Sequence, residues 1–256
     1  MHILQKMRRI SDSATNKPLI CVSLKAGNII GIKDELIVLK HKRFDIIEIR
    51  ADFYVGAILD DIKEIVGMIR KSFPEVKVMF TMRSRRHGGM CQYPADDIRN
   101  ILLSAASFDE IDIIDVEKEI AEKKRAIIRQ IMSNGRKVII SCHDYSDDFR
   151  RETIVEKLKN LKSFDADYIK YVISPTCEDD VYNLLSAVTV FKKTYPDTHL
   201  ITHAMGDMGT ISRVVAEFIG SEIAFAEGFN RGTIGQIDVN NMNLIVDAIH
   251  DGISGN

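Results

Sequence analysis

Eight short apolar runs recur along the chain, each followed by a longer segment of helical period, and this alternation restricts the fold more than any other feature. The runs span 19–23, 45–50, 77–82, 111–116, 137–142, 168–173, 199–202 and 223–226. Segments with one apolar face lie between them at 60–71, 95–106, 118–133, 149–162, 178–194, 211–220 and 237–250, with a shorter one at 33–41. "SNGRK" stops one helix, with Gly135 suited to a left-handed cap, and "YPDTH" stops another through Pro196. Regular alternation demands parallel strands, because each crossover helix returns the chain to the same end. Eight units in 256 residues predict an α/β fold, a (β/α)8 barrel, as one domain over 1–256 with about 1–17 as an N-terminal extension. An open doubly wound sheet is the competitor, but no GxGxxG follows a strand.

Composition narrows the function class. With 35 basic against 37 acidic residues, no global field favours nucleic acid or a membrane surface. The first residues hold no apolar core of signal-peptide length, and no later run is long enough to span a bilayer. Cys21, Cys91, Cys142 and Cys177 are far apart and form no CxxC pair, so neither a metal cluster nor a disulfide framework is expected. A cytoplasmic protein with reduced thiols is the economical reading.

The active site of such a barrel lies where the strands end. There the chain offers Ser23, then Glu48 and Arg50, then Arg83, then His143 and Asp144 of "SCHDY", and later Lys170, His203, Met205 and Glu227. Arg213 opens the helix after the seventh strand, and Gln236 opens the last one. Lys170 is the most specific of these. In "DADYIKYVISP", alternation puts Tyr168, Lys170 and Val172 on one face of a buried strand. The plain reading is a lysine whose stem packs while its head reaches solvent or a carboxylate. The chemical reading uses the burial: a dry amine attacks a carbonyl and forms a Schiff base. The iminium withdraws electrons, acidifies the neighbouring C–H and lets a β-leaving group depart. A proton carrier near neutrality is then needed, and His143 stands on the adjacent strand end. Arg50, Arg83 and Arg213 favour a carboxylate, and Glu48 and Gln236 can meet hydroxyls, so a small polyhydroxylated keto acid is the expected substrate.

At these residues the chain resembles the type I 3-dehydroquinate dehydratases, from about residue 18 to 249. "DIIEIRADFY", "FTMRS", "SCHDY", "DADYIKYVISP", "GTISR" and "GQIDVN" carry the resemblance. It implies eight β/α units, usually a homodimer, and no metal or organic cofactor. It further implies that Lys170 takes the C3 ketone of dehydroquinate. His143 would assist imine formation, take a proton from C2 and return one to the departing C1 hydroxyl. Arg213 and Gln236 would hold the carboxylate end, Glu48 and Arg83 would lie near the ring hydroxyls, and Met205 and Phe225 would form apolar walls.

Several positions depart from the family's pattern. In "RSRRHGG", His87 stands where a glutamate is usual, a carboxylate thought to orient the catalytic histidine. His87 either orients His143 without offering a charge or merely sits on a mobile loop. His203 takes a place commonly held by methionine, and Gly232 and Thr233 replace a serine-alanine pair in the loop that covers the substrate. Glu227 and Arg231 put charges where small or neutral residues are usual. Four readings stand: a dehydroquinase of a divergent lineage, a paralogue with the same imine chemistry on a related cyclic hydroxy-keto acid, a Schiff-base aldolase, and a non-catalytic binding protein.

Overall fold

Side-chain alternation in the strands decides the architecture of the computed structural model, which describes residues 17–56, 58–229 and 234–254. The strands are β1 (Leu19–Leu24), β2 (Ile46–Arg50), β3 (Lys77–Thr81), β4 (Ile113–Glu117), β5 (Lys137–Asp144), β6 (Tyr168–Ile173), β7 (Leu200–Ala204) and β8 (Ile223–Ala226). All ladders are parallel, in the order β7-β6-β5-β4-β3-β2-β1-β8. The short β8 does not form a ladder with β7. Instead a bridge joins Leu200 to Ser221, the Glu222 N–H donates to the Leu200 carbonyl at 2.8 Å, and the Thr202 N–H donates to Ser221 Oγ at 3.0 Å. These contacts bring the ends of the sheet together into a nearly closed barrel.

Around it run α1 (Ile29–Leu39), α2 (Ile58–Ser72), α3 (Ala95–Ala105), α4 (Lys118–Lys123), α5 (Ala126–Ser133), α6 (Arg151–Lys162), α7 (Glu178–Thr194), α8 (Thr210–Val214), α9 (Ala216–Ile219) and α10 (Val239–Ser254). Outward strand residues such as Ile169, Tyr171 and Ile173 join one large apolar cluster with Leu158, Leu184 and Phe191 of the helices. Each such aliphatic side chain contributes about 1.5–3 kcal/mol by leaving water. A second cluster fills the lower barrel: Cys21, Ile46, Met79, Ile113, Ile139, Tyr168, Ile201, Ile223 and Phe225. Two residues further along β1 to β7, the inward positions turn polar: Ser23, Glu48, Thr81, Asp115, Ser141, Lys170 and His203; on β8 that place is Phe225. An apolar floor therefore carries a charged layer, and that layer faces the mouth.

Three expectations about elements change. The segment 118–133 is two helices, broken at Lys124 (φ −145°, ψ 82°), because the charged run 122–125 has no apolar side to bury. Likewise 211–220 divides into α8 and α9 at Val215. β5 runs two residues past 142, pairing His143 with Val172 and Asp144 with Ile173. His143 is thus fixed by a ladder and not by a loop. Among the described residues no helix is long and apolar enough to cross a membrane.

Candidate active site

A cavity of about 270 Å³ opens at the C-terminal ends of the strands. It brings together Ser23, Glu48, Arg50, Arg83, His87 and His143 with Lys170, His203, Met205, Arg213, Phe225 and Gln236. Twelve of the residues expected from sequence therefore converge on one mouth. Gly232, Thr233 and Arg231 lie outside the described residues. Glu227 is buried just beyond β8, where its carboxylate accepts from the Phe229 N–H.

Lys170 is 3 % exposed, with Nζ 4.3 Å from the centre of the Phe225 ring. It is dry but not unpaired: Asp115 Oδ2 lies 3.3 Å away. Burial would raise the Asp115 carboxyl, but Arg83, Lys170 and a hydrogen bond from Ser141 bring it down to about 2. The cost of burying the lysine is thus offset by a fixed carboxylate, a partner that alternation alone did not reveal.

The three arginines do not share one role. Arg83 Nη2 meets Asp115 at 2.7 Å, and its Nη1 meets Ser141 at 2.9 Å and Glu117 at 3.3 Å. Arg50 is held in bidentate fashion by Asp52 at 2.8 and 2.9 Å. Both are thus engaged by protein carboxylates, whereas their residue type alone suggested a substrate carboxylate. Arg213 has no carboxylate partner among the described residues: Nη1 donates to the Ala204 carbonyl at 2.7 Å, and Nε is buried without a partner. Burial pushes its guanidinium down to about 10. It is the arginine poised to receive an anion. Glu48 takes hydrogen bonds from Ser23 at 2.5 Å and Thr81 at 2.8 Å. Its carboxyl is lowered overall: burial acts to raise it, but Lys170 and Arg50 outweigh that.

Replacing Arg83 by methionine keeps the stem but leaves Asp115 and Glu117 facing no guanidinium. We expect a loss of about 3–5 kcal/mol in urea unfolding, as for other broken buried ion pairs.

The imidazoles divide the chemistry. Burial, then Arg83, Lys170, His203 and His87, hold His143 well below the usual histidine range. His203, tilted against Phe225 with ring centres 5.7 Å apart, is held down by burial, Arg213 and Lys170. Both rings are neutral in the folded chain at pH 7, and His143 can act as a base. His143 Nδ1 is buried with no partner, as is Arg213 Nε. Two such orphan atoms in one mouth fit a site completed by a ligand.

Their depressed values have a consequence for stability. Above about pH 6.5 neither ring carries a proton in the folded or unfolded chain, so neither contributes. Below it the unfolded chain binds protons that the fold rejects, and stability falls as the pH drops. His203→Met removes one such proton. We expect its unfolding free energy to fall less steeply below pH 6 than that of the parent, by up to about 1.4 kcal/mol per pH unit. Urea titrations at several pH values measure this.

His87 is 3 % exposed in a 3-10 turn (Arg85–His87) after β3, a buried place and not an exposed loop. Gly88 closes that turn at φ 76°, where a Cβ would meet Tyr145 Oη at 2.2 Å. The ring touches His143 edge to face, with centres 5.9 Å apart. Its hydrogen bond, however, is to the main chain of His143: the His143 N–H donates to His87 Nδ1 at 3.0 Å. On its far side Nε2 lies 2.7 Å from Glu119.

Sequence reasoning missed Asp115, Glu117, Ser141, Asp52, Tyr145 and Glu119. A signal for two of them existed, since "IDIIDVE" places Asp115 and Glu117 two apart in an apolar strand, on the face inward from Ile113.

Comparison with known proteins agrees with this geometry. The family model for type I 3-dehydroquinase matches residues 20–253. The 3-dehydroquinate dehydratase of Clostridium botulinum is 32% identical, over 92% of this chain and 94% of that one. An Escherichia coli protein of the same name is 31% identical, with the same coverage. The type I 3-dehydroquinate dehydratase of Clostridium difficile, solved with covalently modified comenic acid, superposes with a TM-score of 0.85 at 31% identity, covering 92% and 93% of the two chains. That of Geobacillus kaustophilus gives 0.82 at 25% identity, covering 91% of each. A strand-borne lysine, a neutral histidine one strand away and a barrel of matching course thus lead to one conclusion: the chain belongs to the type I 3-dehydroquinase family.

Proposed function

We propose that this protein removes water from 3-dehydroquinate to give 3-dehydroshikimate through an imine on Lys170. The observation that carries the reading is a lysine 3 % exposed at the level of Ser141, with neutral His143 two residues further along the neighbouring strand. His143 first accepts a proton from Lys170, and the amine then adds to the C3 carbonyl. His143 returns that proton to the carbinolamine hydroxyl, and water leaves to form the iminium. Its electron-withdrawing pull allows His143 to take a proton from C2. The same proton goes to the C1 oxygen as the C1–O bond breaks and water leaves. A second water hydrolyses the imine, releasing the enone and restoring Lys170, so the net change is the loss of one water.

The remaining groups position the ring. Arg213, with its unsatisfied Nε, receives the carboxylate together with Gln236. Glu48, fixed by Ser23 and Thr81, meets ring hydroxyls, and Met205 and Phe225 provide apolar walls. Arg83 acts from beneath, fixing the carboxylate that faces Lys170. Its reach to hydroxyls is limited by those ion pairs. The same reading takes the barrel as one catalytic domain, working as a homodimer. Cytoplasmic residence is supported by the four cysteines, all free.

A second reading keeps the chemistry and changes the substrate. His87 and His203 are both buried at the mouth, where His203 adds an imidazole that can meet a hydroxyl, and a stereoisomer or differently hydroxylated relative of dehydroquinate fits that change. Both are tested by following enone absorbance with a panel of cyclic hydroxy-keto acids. Fastest turnover of 3-dehydroquinate supports the first reading. A clear preference for another member of the panel supports the second, and no enone from any member overturns both.

A further inference from the structure

We infer that Glu119 is a positioning residue, acting through His87 to hold the main chain of His143 in place. The inference rests on the proposed role of His143 and adds a device behind it. Glu119 lies in the first turn of α4, directly after β4, and its carboxylate Oε2 is 2.7 Å from His87 Nε2. A carboxylate accepts and cannot donate, so the Nε2 proton sits on the imidazole side of this contact. The opposite nitrogen, Nδ1, accepts the His143 N–H at 3.0 Å and must therefore be bare. Glu119 thus selects the one neutral tautomer of His87 that can receive the backbone of its neighbour. With the other tautomer, two N–H groups would face each other.

The surroundings leave little room for an alternative. His87 is 3 % exposed, and its turn is closed by hydrogen bonds from the His87 and Gly89 N–H groups to the Ser84 carbonyl. At Gly89 a Cβ would lie 2.1 Å from the Arg83 carbonyl. The turn is consequently tied to Arg83, whose guanidinium is bound to Asp115 and Glu117. His87 also separates two spaces. One is the 270 Å³ mouth; the other, of about 370 Å³, lies between α4 and β5 and is lined by Glu119, Cys142 and Lys157. His143 borders both. The ring of His143 receives no hydrogen bond at Nδ1 from the protein, so its aim depends on where β5 places its backbone. A clamp on that N–H sets the aim.

Five variants of the full chain separate this role from general packing. Asparagine at 87 offers an oxygen near the place of Nδ1, whereas glutamine reaches toward Glu119 but loses the His143 contact. We expect His87→Ala and His87→Gln to lower kcat about 10–100-fold with KM little changed, and His87→Asn to stay within about threefold of the parent. Glu119→Gln keeps an acceptor for Nε2–H and should remain near parental, while Glu119→Ala should fall with His87→Ala. If the asparagine variant is as impaired as the alanine one, or if KM rises while kcat holds, the assignment is overturned. A readout independent of catalysis closes the test. Long-range proton–nitrogen NMR of the parent, labelled at histidine, should show His87 as the Nε2–H tautomer, and Glu119→Ala should lose that preference. A parental Nδ1–H tautomer would refute the device even in a fully active enzyme. Absence of turnover with a correct tautomer would instead count against the proposed reaction.

Discussion

Lys170→Ala should lose turnover of 3-dehydroquinate by about 10⁴–10⁶-fold, the scale at which removal of a covalent nucleophile is felt. Among the described residues no other lysine lines the cavity from within the barrel; Lys25, the second lysine of the mouth, lies just past the end of β1. The fold should survive the substitution. Asp115 keeps its contacts to Arg83 at 2.7 Å and Ser141 at 2.5 Å, so it is not left as a bare buried charge. Lys170→Met provides the control for packing, because its stem still fills the space against Phe225. If chemistry and not packing is at stake, the methionine variant is as inactive as the alanine one while unfolding near the parental denaturant midpoint. Turnover near parental in either variant would move the reaction to another group.

His143→Ala should cost about 10²–10⁴-fold in kcat, the usual worth of a positioned acid–base group. It should cost less in KM, because Arg213 and Gln236, the proposed carboxylate holders, still line the mouth. The ring is neutral in the folded protein, pushed down first by burial and then by the nearby cations. Its basic form is therefore present throughout the neutral range, and protonation follows only on receipt of a proton from Lys170 or from C2. The pH profile of kcat should accordingly stay flat from about pH 8 down through the usual histidine range near 6.5. A drop in kcat that follows an ordinary histidine titration would contradict the neutral, buried ring.

Much of this was legible in the sequence because the two periods are written plainly. Eight apolar runs with helical segments between them have few ways to pack, and inward alternation on β6 is enough to put Lys170 at the mouth. Residues at strand ends could be gathered into one site by the barrel's topology alone. Pairings between those residues could not, since they depend on which strands are neighbours and on their stagger. Arg83 illustrates this: its type suggested a substrate anion, but register places it among Asp115, Glu117 and Ser141. His87 is a second case. Position in a motif suggested that it orients the His143 ring directly, whereas the tight turn before Gly88 and Gly89 has its Nδ1 accept from the His143 backbone and leaves the two rings only in edge contact. Asp115 itself was overlooked because an acidic residue in a β-strand gives no local sign of its partner on another strand, Lys170, 55 residues later.

Borohydride trapping tests the covalent step most directly. Protein incubated with 3-dehydroquinate and sodium borohydride should gain the mass of ligand or product less one water plus two hydrogens, on the peptide holding Lys170, and the Lys170→Met variant should gain nothing. Continued turnover with no adduct in the parent, or an adduct on any other lysine, would contradict the account.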